Sequence, residues 1–150
     1  MLKNFLNRIF LFIKSIFSVF YINALILSSR ATKKKIFFFY YPRKLTTKIH
    51  TFYIEDLFKS FSSETIIIYG HEAHHIKLGK NYIYIKENFF KFILGVDIFF
   101  STSVCDKFIK NSKKIYLNHH IYDSPLVNFE KEKYLCKRLS SYDAVLIASE

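Results

Sequence analysis

Six short apolar runs govern what this chain can fold into: residues 36–41, 65–69, 82–85, 97–100, 115–117 and 144–147, each soon followed by a polar or turn-forming segment. The first, Ile36-Phe37-Phe38-Phe39-Tyr40-Tyr41, has no polar alternation and stops at Pro42, the pattern of a strand buried on both faces. The second is β-branched and ends at Gly70. Between the runs the spacing turns helical, with Phe52, Ile54, Leu57, Phe58 and Phe61 after the first strand. Short helices are predicted over 89–94 and 107–110, and a charged one over 129–139. In the last, Tyr134, Leu135 and Leu139 form the core side and Glu130, Lys131, Lys137 and Arg138 belong to the wet side. Strand, helix, strand is the unit of a parallel sheet, so the expected class is α/β: a Rossmann-like, mostly parallel sheet with right-handed crossovers.

The chain has 150 residues, 51% of them hydrophobic, which is enough for one ordinary core and not for two full domains. It divides into a helix over 1–29, a basic linker over 30–35 and the sheet domain over 36–150. In the first segment Phe5, Leu6, Ile9, Phe10, Ile13, Ile16, Phe17 and Phe20 recur at three- and four-residue steps, with Lys3, Arg8 and Lys14 between them. From Ser15 to Ser29 no charge occurs, yet so short a helical stretch rises only about 22 Å, less than a hydrocarbon core. An in-plane interfacial helix is the favoured placement, with a tilted span or signal anchor and a core or partner-packing helix as the alternatives. Arg30 and Lys33-Lys34-Lys35 then stand where they can meet lipid phosphate, which makes a membrane surface the expected partner of residues 1–35.

The formal net charge of +11 does not by itself indicate nucleic acid. The lysines are scattered, and no ring-stacking motif, Gly-rich loop or basic helix face of a nucleic-acid module is present. Cys105 and Cys136 are too far apart in sequence for a metal pair and too few for a disulfide framework, which fits a reducing compartment.

His71-Glu72-Ala73-His74-His75 matches the H-E-x-x-H zinc-hydrolase pattern, but that chemistry needs both histidines on one long helix. Here the motif follows a strand directly and lies between Gly70 and Gly79, so a polar loop at the carboxyl edge of the sheet is expected and no metal is assigned. Phosphate-binding glycine loops and a serine elbow are both missing. Ser101-Thr102-Ser103 reads as the cap of a helix that begins near Cys105.

The residues best placed for chemistry are His119 and His120, which follow the fifth run at the carboxyl edge, where open parallel sheets bind ligands. Imidazole is a general base near neutral pH, and Asp123 is close enough in sequence to orient one. The simpler alternative is a hydrogen-bonded turn closed by Pro125. Arg43, Lys44, His71 and Ser103 are candidate contacts to an anionic acceptor.

The order of Asp97-Ile98-Phe99-Phe100-Ser101-Thr102, then Ser112-Lys113-Lys114-Ile115-Tyr116-Leu117-Asn118-His119, then Tyr142-Asp143-Ala144-Val145-Leu146-Ile147-Ala148-Ser149 resembles the amino-terminal domain of the CDP-glycerol glycerophosphotransferase family. The resemblance spans roughly residues 36–150 and implies the amino-terminal half of a two-Rossmann GT-B fold. In that family a K-x-I-x-x-x-H strand carries a catalytic histidine, which falls on His119 or His120. The family's Gly-Thr-Pro turn is replaced by the longer Ile121-Tyr122-Asp123-Ser124-Pro125. The resemblance further implies a transferase of teichoic acid or surface polysaccharide biosynthesis, peripheral to the cytoplasmic face of the plasma membrane. It implies no cofactor on this half: the nucleotide-linked donor, CDP-glycerol or a nucleotide sugar, belongs to a missing carboxyl-terminal Rossmann domain or a separate chain, and the chain alone is expected to be inactive. The runner-up reading is a non-catalytic, membrane-peripheral docking module.

Overall fold

The computed structural model describes residues 2–41, 59–61, 63–71, 82–102, 105–118, 137 and 139–147. Its centre is a six-stranded sheet with every pair parallel, in the order β3-β2-β1-β4-β5-β6. The strands are β1 (Lys35–Tyr41), β2 (Thr65–His71), β3 (Tyr82–Tyr84), β4 (Ile98–Ser101), β5 (Lys113–Asn118) and β6 (Ala144–Ile147). All six expected strands are present, within a few residues of their expected bounds. The chain builds outward from β1 to β3, then returns to the other side of β1 for β4, so the order reverses between β1 and β4.

β1 is central and apolar on both faces, and both faces are covered. Ile36, Phe38 and Tyr40 point into a core with Ile68, Ile85, Phe90, Ile93, Val96 and Phe99. Phe37 and Phe39 point the other way, against Phe100 and Leu117 with Phe61, Ile67 and Tyr69 at the margin. The alternation is that of any strand; β1 differs in having no polar side to give to water.

The first core is closed by α1 (Leu2–Ala31). The sheet-facing stripe of α1 is made of Ser15, Ser18, Val19, Ile22, Ile26 and Ser29, all buried. Each of the three serines donates its hydroxyl to the carbonyl four residues back, at 2.9, 2.9 and 2.7 Å, so small polar side chains sit against the sheet at no hydrogen-bonding cost. Asn23 fixes the helix to the loop beyond β3, donating to the Phe92 carbonyl at 2.9 Å and accepting from the Leu94 amide at 2.8 Å. α1 therefore forms a layer of the domain and extends two residues past the expected bound, while Lys35 already belongs to β1.

The turn from α1 into β1 is a Schellman cap. Lys34 N donates to Ser29 O at 2.9 Å and Lys33 N to Arg30 O at 3.1 Å, with Lys33 in the left-handed region at φ 56°. Where β1 begins, the Asp97 carboxylate accepts from Ile36 N at 2.7 Å while Asp97 N donates to Ile36 O at 2.9 Å. The same clip recurs two strands along: Asp143 accepts from Lys114 N at 2.6 Å and donates to Lys114 O at 2.9 Å. An aspartate just before β4 and another just before β6 thus fasten the amino edge of the sheet.

Three expectations need correction. Gly70 does not end its strand, which continues to His71; it is buried inside β2 because a Cβ there would lie 2.8 Å from Phe38 Cε1. Residues 89–94 do not form an α-helix: the helical segment is 3-10, Glu87–Phe92, packed into the core through Phe89 and Phe90. Residues 107–110 are not helical, and the chain passes through an irregular segment to a turn at Asn111, φ 57°. Of the other two expected helices, residues 51–58 of the stretch that ends at Phe61 and most of 129–139 lie outside the described residues.

Candidate functional site

In an open parallel sheet the ligand crevice forms beyond the carboxyl ends of the strands, where the strand order reverses. Here that place lies between β1 and β4, at Tyr40, Ser101 and Thr102. Strand pairing sets the rest of this edge: His71 is level with Tyr41 on β1 and Tyr84 on β3, and Ser101 is level with Tyr40 and Tyr116. β5 runs two residues further than β4 and ends at Asn118, opposite Ile147.

The floor of this edge beside the reversal point is a buried polar cluster. Ser101, fully buried at the end of β4, has its Oγ 3.1 Å from Cys105 Sγ. Cys105 N donates to the Tyr142 hydroxyl at 2.9 Å, joining the segment after β4 to the residue that leads into β6. Tyr142 stands edge-on to Phe108, ring centroids 5.0 Å apart, and packs against Tyr116 at 5.5 Å. Burial first, then the Cys105 thiol beside it, push the Tyr142 phenol well above the usual tyrosine range. It therefore stays protonated at neutral pH and acts as a hydrogen-bonding strut, with no proton to give or take. Cys105 is as enclosed as its neighbours, a structural thiol without the exposure that a reactive one needs. Ser101 is consequently part of this floor, and the expected helix cap does not form. Sequence reasoning missed the cluster because Tyr142 lies 37 positions beyond Cys105 and none of its members belongs to a catalytic or metal motif.

Of the acceptor candidates, the structure places His71 as the last residue of β2. It shares the carboxyl edge with the end of β5 but stands three strand spacings away, about 14 Å. Its extended backbone also removes the zinc-hydrolase reading, since the first histidine of that motif must be helical. Among the described residues no group of three or more His, Cys, Asp or Glu could hold a metal. His119, His120, Asp123, Arg43, Lys44 and Ser103 lie outside the described residues; Asn118, which immediately precedes the two histidines, is the end of β5.

The amino edge has its own cavity, of about 310 Å³, lined by Arg30, Lys33, Lys34, Lys35, Asp97 and Asn111. Arg30 crosses its mouth to donate to the Gly95 carbonyl at 2.7 Å. It sits at the opposite end of the strands from the crevice, so its cations do not serve a ligand there. Among the described residues one helix, Asn4–Ala31, is long and apolar enough to cross a membrane by length and composition. No protein-family model, curated protein or solved structure matches the chain.

Proposed function

We propose that this chain is the acceptor-binding half of a glycerophosphotransferase or glycosyltransferase of cell-surface polymer synthesis, working at the cytoplasmic face of the plasma membrane. The observation that carries the reading is the strand order: the reversal between β1 and β4 opens the crevice beside the carboxyl end of β5, and the sequence follows Asn118 with His119-His120. One of these imidazoles takes the proton of an acceptor hydroxyl as its oxygen attacks the activated phosphorus or anomeric carbon of the donor. A new bond to oxygen forms, the bond to the nucleotide breaks, and the nucleotide leaves with the electron pair. Asp123 orients the imidazole, and Arg43, Lys44 and His71 steady acceptor phosphate. The donor is held by a second Rossmann domain.

The test is nucleotide-donor turnover by membranes containing this chain, with and without the product of the adjacent downstream sequence. Transfer that disappears in a His119→Ala/His120→Ala variant supports the reading, and full turnover by that variant overturns it.

A second reading is a non-catalytic docking module, favoured by β6, where Val145 and Leu146 are exposed on opposite faces of the strand. A Val145→Lys variant that keeps turnover while losing a partner would turn the assignment this way.

A further inference from the structure

Phe5, Leu6, Ile9, Phe10, Ile13, Phe17, Phe20 and Leu27 are exposed, Phe17 and Phe20 at 71% and 70%. At about 100° per residue, the buried stripe of α1 occupies a sector of roughly 100° and these side chains fill the opposite side. The helix turns serines towards the protein and phenylalanines away from it, the reverse of what water selects. The patch continues off the helix onto exposed Phe92 and Leu94, and a groove of about 860 Å³ runs between the two segments, lined by Phe12, Phe20, Phe89 and Phe92. So large a contiguous apolar surface marks a covered face.

Charge decides what covers it. Residues 1–35 hold seven basic and no acidic side chains. Arg8, Lys86 and Lys91 border the groove, Lys14 lies 5.3 Å over the Tyr84 ring, and Arg30 with Lys33, Lys34 and Lys35 closes the far end. An apolar face flanked by cations fits the boundary between acyl chains and anionic headgroups, whereas a second copy of the same face would bring like charges together.

The fold also sets the orientation. α1 is fastened to the domain along its length by Phe12 against Phe89 at 5.5 Å, by Asn23 to the Phe92 and Leu94 backbone, and by Arg30 to Gly95. Surrounding residues 15–29 with hydrocarbon would strip the helix from the sheet and uncover Ile36, Phe38 and Ile68. We infer that α1 lies in the plane of an anionic lipid surface, inserting its outer face together with Phe92 and Leu94 while its inner face stays on the sheet.

The same geometry gives the site an address. The short turn after Ala31 returns the chain antiparallel to α1, and the buried stripe begins only at Ser15. Residues 4–11, about 11 Å of helix ahead of the Phe12–Phe89 contact, therefore project past the carboxyl edge of the sheet, on the side of the ligand crevice. A lipid-linked acceptor would reach the crevice along this overhang; that corollary rests on the transfer reading, and the docking does not.

The chain contains no tryptophan, so single Phe5→Trp, Phe17→Trp and Leu27→Trp substitutions in the full chain report depth without background. Expected with vesicles of phosphatidylglycerol and phosphatidylcholine is flotation of the chain, weakened about tenfold or more on pure phosphatidylcholine or in high salt. Brominated lipids should quench the three tryptophans at one shallow depth. A Phe17→Asp/Phe20→Asp variant should keep the wild-type melting transition and lose flotation. Equal binding to uncharged vesicles, a depth that changes steadily from residue 5 to residue 27, or a lipid-free dimer that the double variant turns into a monomer would each overturn the proposal. The His119→Ala/His120→Ala variant should float like the wild type, so failed transfer with intact flotation bears on the transfer reading alone.

Discussion

β1 and α1 are the two most apolar regions of the molecule, and the fold treats them oppositely. β1 has no polar face and is buried on both sides, with Phe38, Phe39 and Tyr40 fully enclosed. α1 is apolar all round, yet only its serine-and-aliphatic stripe is enclosed. A bias of the chain towards Phe and Ile explains neither, because one composition yields complete burial in one element and an open aromatic face in the next. What differs is cover: both faces of β1 are enclosed, and α1 is itself an outer layer.

The sharpest way to break this contrast is to remove one phenyl ring from each element. Phe38 packs between Phe90 and Phe99, ring centroids 5.8 and 5.6 Å away, so Phe38→Ala should cost about 3–5 kcal/mol in urea unfolding. Phe17→Ala, on the outer face, should shift stability by no more than about 0.5 kcal/mol in the absence of lipid. Comparable losses would mean that the outer face is part of the folded core after all.

Gly70 tests how tightly β1 is covered. A methyl group there meets the Phe38 ring, which is hemmed in by its aromatic neighbours and has nowhere to move. Gly70→Ala should destabilise by about 1–3 kcal/mol, and adding Phe38→Leu should cost less than the sum of the two single changes. Strict additivity in that double-mutant cycle would show that the two sites do not share space.

Much of this arrangement was legible in the sequence, for physical reasons that also mark where legibility stops. A strand buried on both faces writes an unbroken apolar run, and 36–41 was such a run. The parallel pairing, and with it which strand ends share the carboxyl edge, could be read because strand–helix–strand alternation demands it. Gly70 misled because a glycine that ends a strand and one that makes room for a ring across the sheet look alike in one dimension. The Ser101–Cys105–Tyr142 cluster was hidden because it requires β4 and β6 to be brought into register through β5. The buried side of α1 could not be read either. With apolar residues on every side, the stripe that meets the sheet is chosen by small size, and Ser15, Ser18 and Ser29 do not advertise themselves as core.

Smaller in effect is the clip that starts β1. Asp97→Ala leaves the amide of buried Ile36 without its carboxylate acceptor and should cost about 1–2 kcal/mol, whereas Asp97→Asn, which keeps an acceptor oxygen, should recover part of that. Thermal unfolding of the three proteins side by side checks the order. Equal stability of wild type and Asp97→Ala would mean that the neighbouring backbone bond, Asp97 N to Ile36 O, suffices alone.

The smallest expected change lies at the joint of the two elements and has the opposite sign. Lys33 holds the left-handed position of the cap that turns α1 into β1, where an L side chain is strained and glycine is not. Lys33→Gly should therefore stabilise the fold by about 0.5–1 kcal/mol, less than the full relief because glycine also gives the unfolded chain more freedom. Asn111 has nearly the same φ in the turn before β5, but asparagine tolerates this region, so Asn111→Gly should gain less. A larger gain at 33 than at 111 would mean that the joint is under strain as the chain stands. On the proposed lipid-bound placement of α1, Lys33 is also one of the flanking cations, so the same substitution should tighten the fold while weakening vesicle binding.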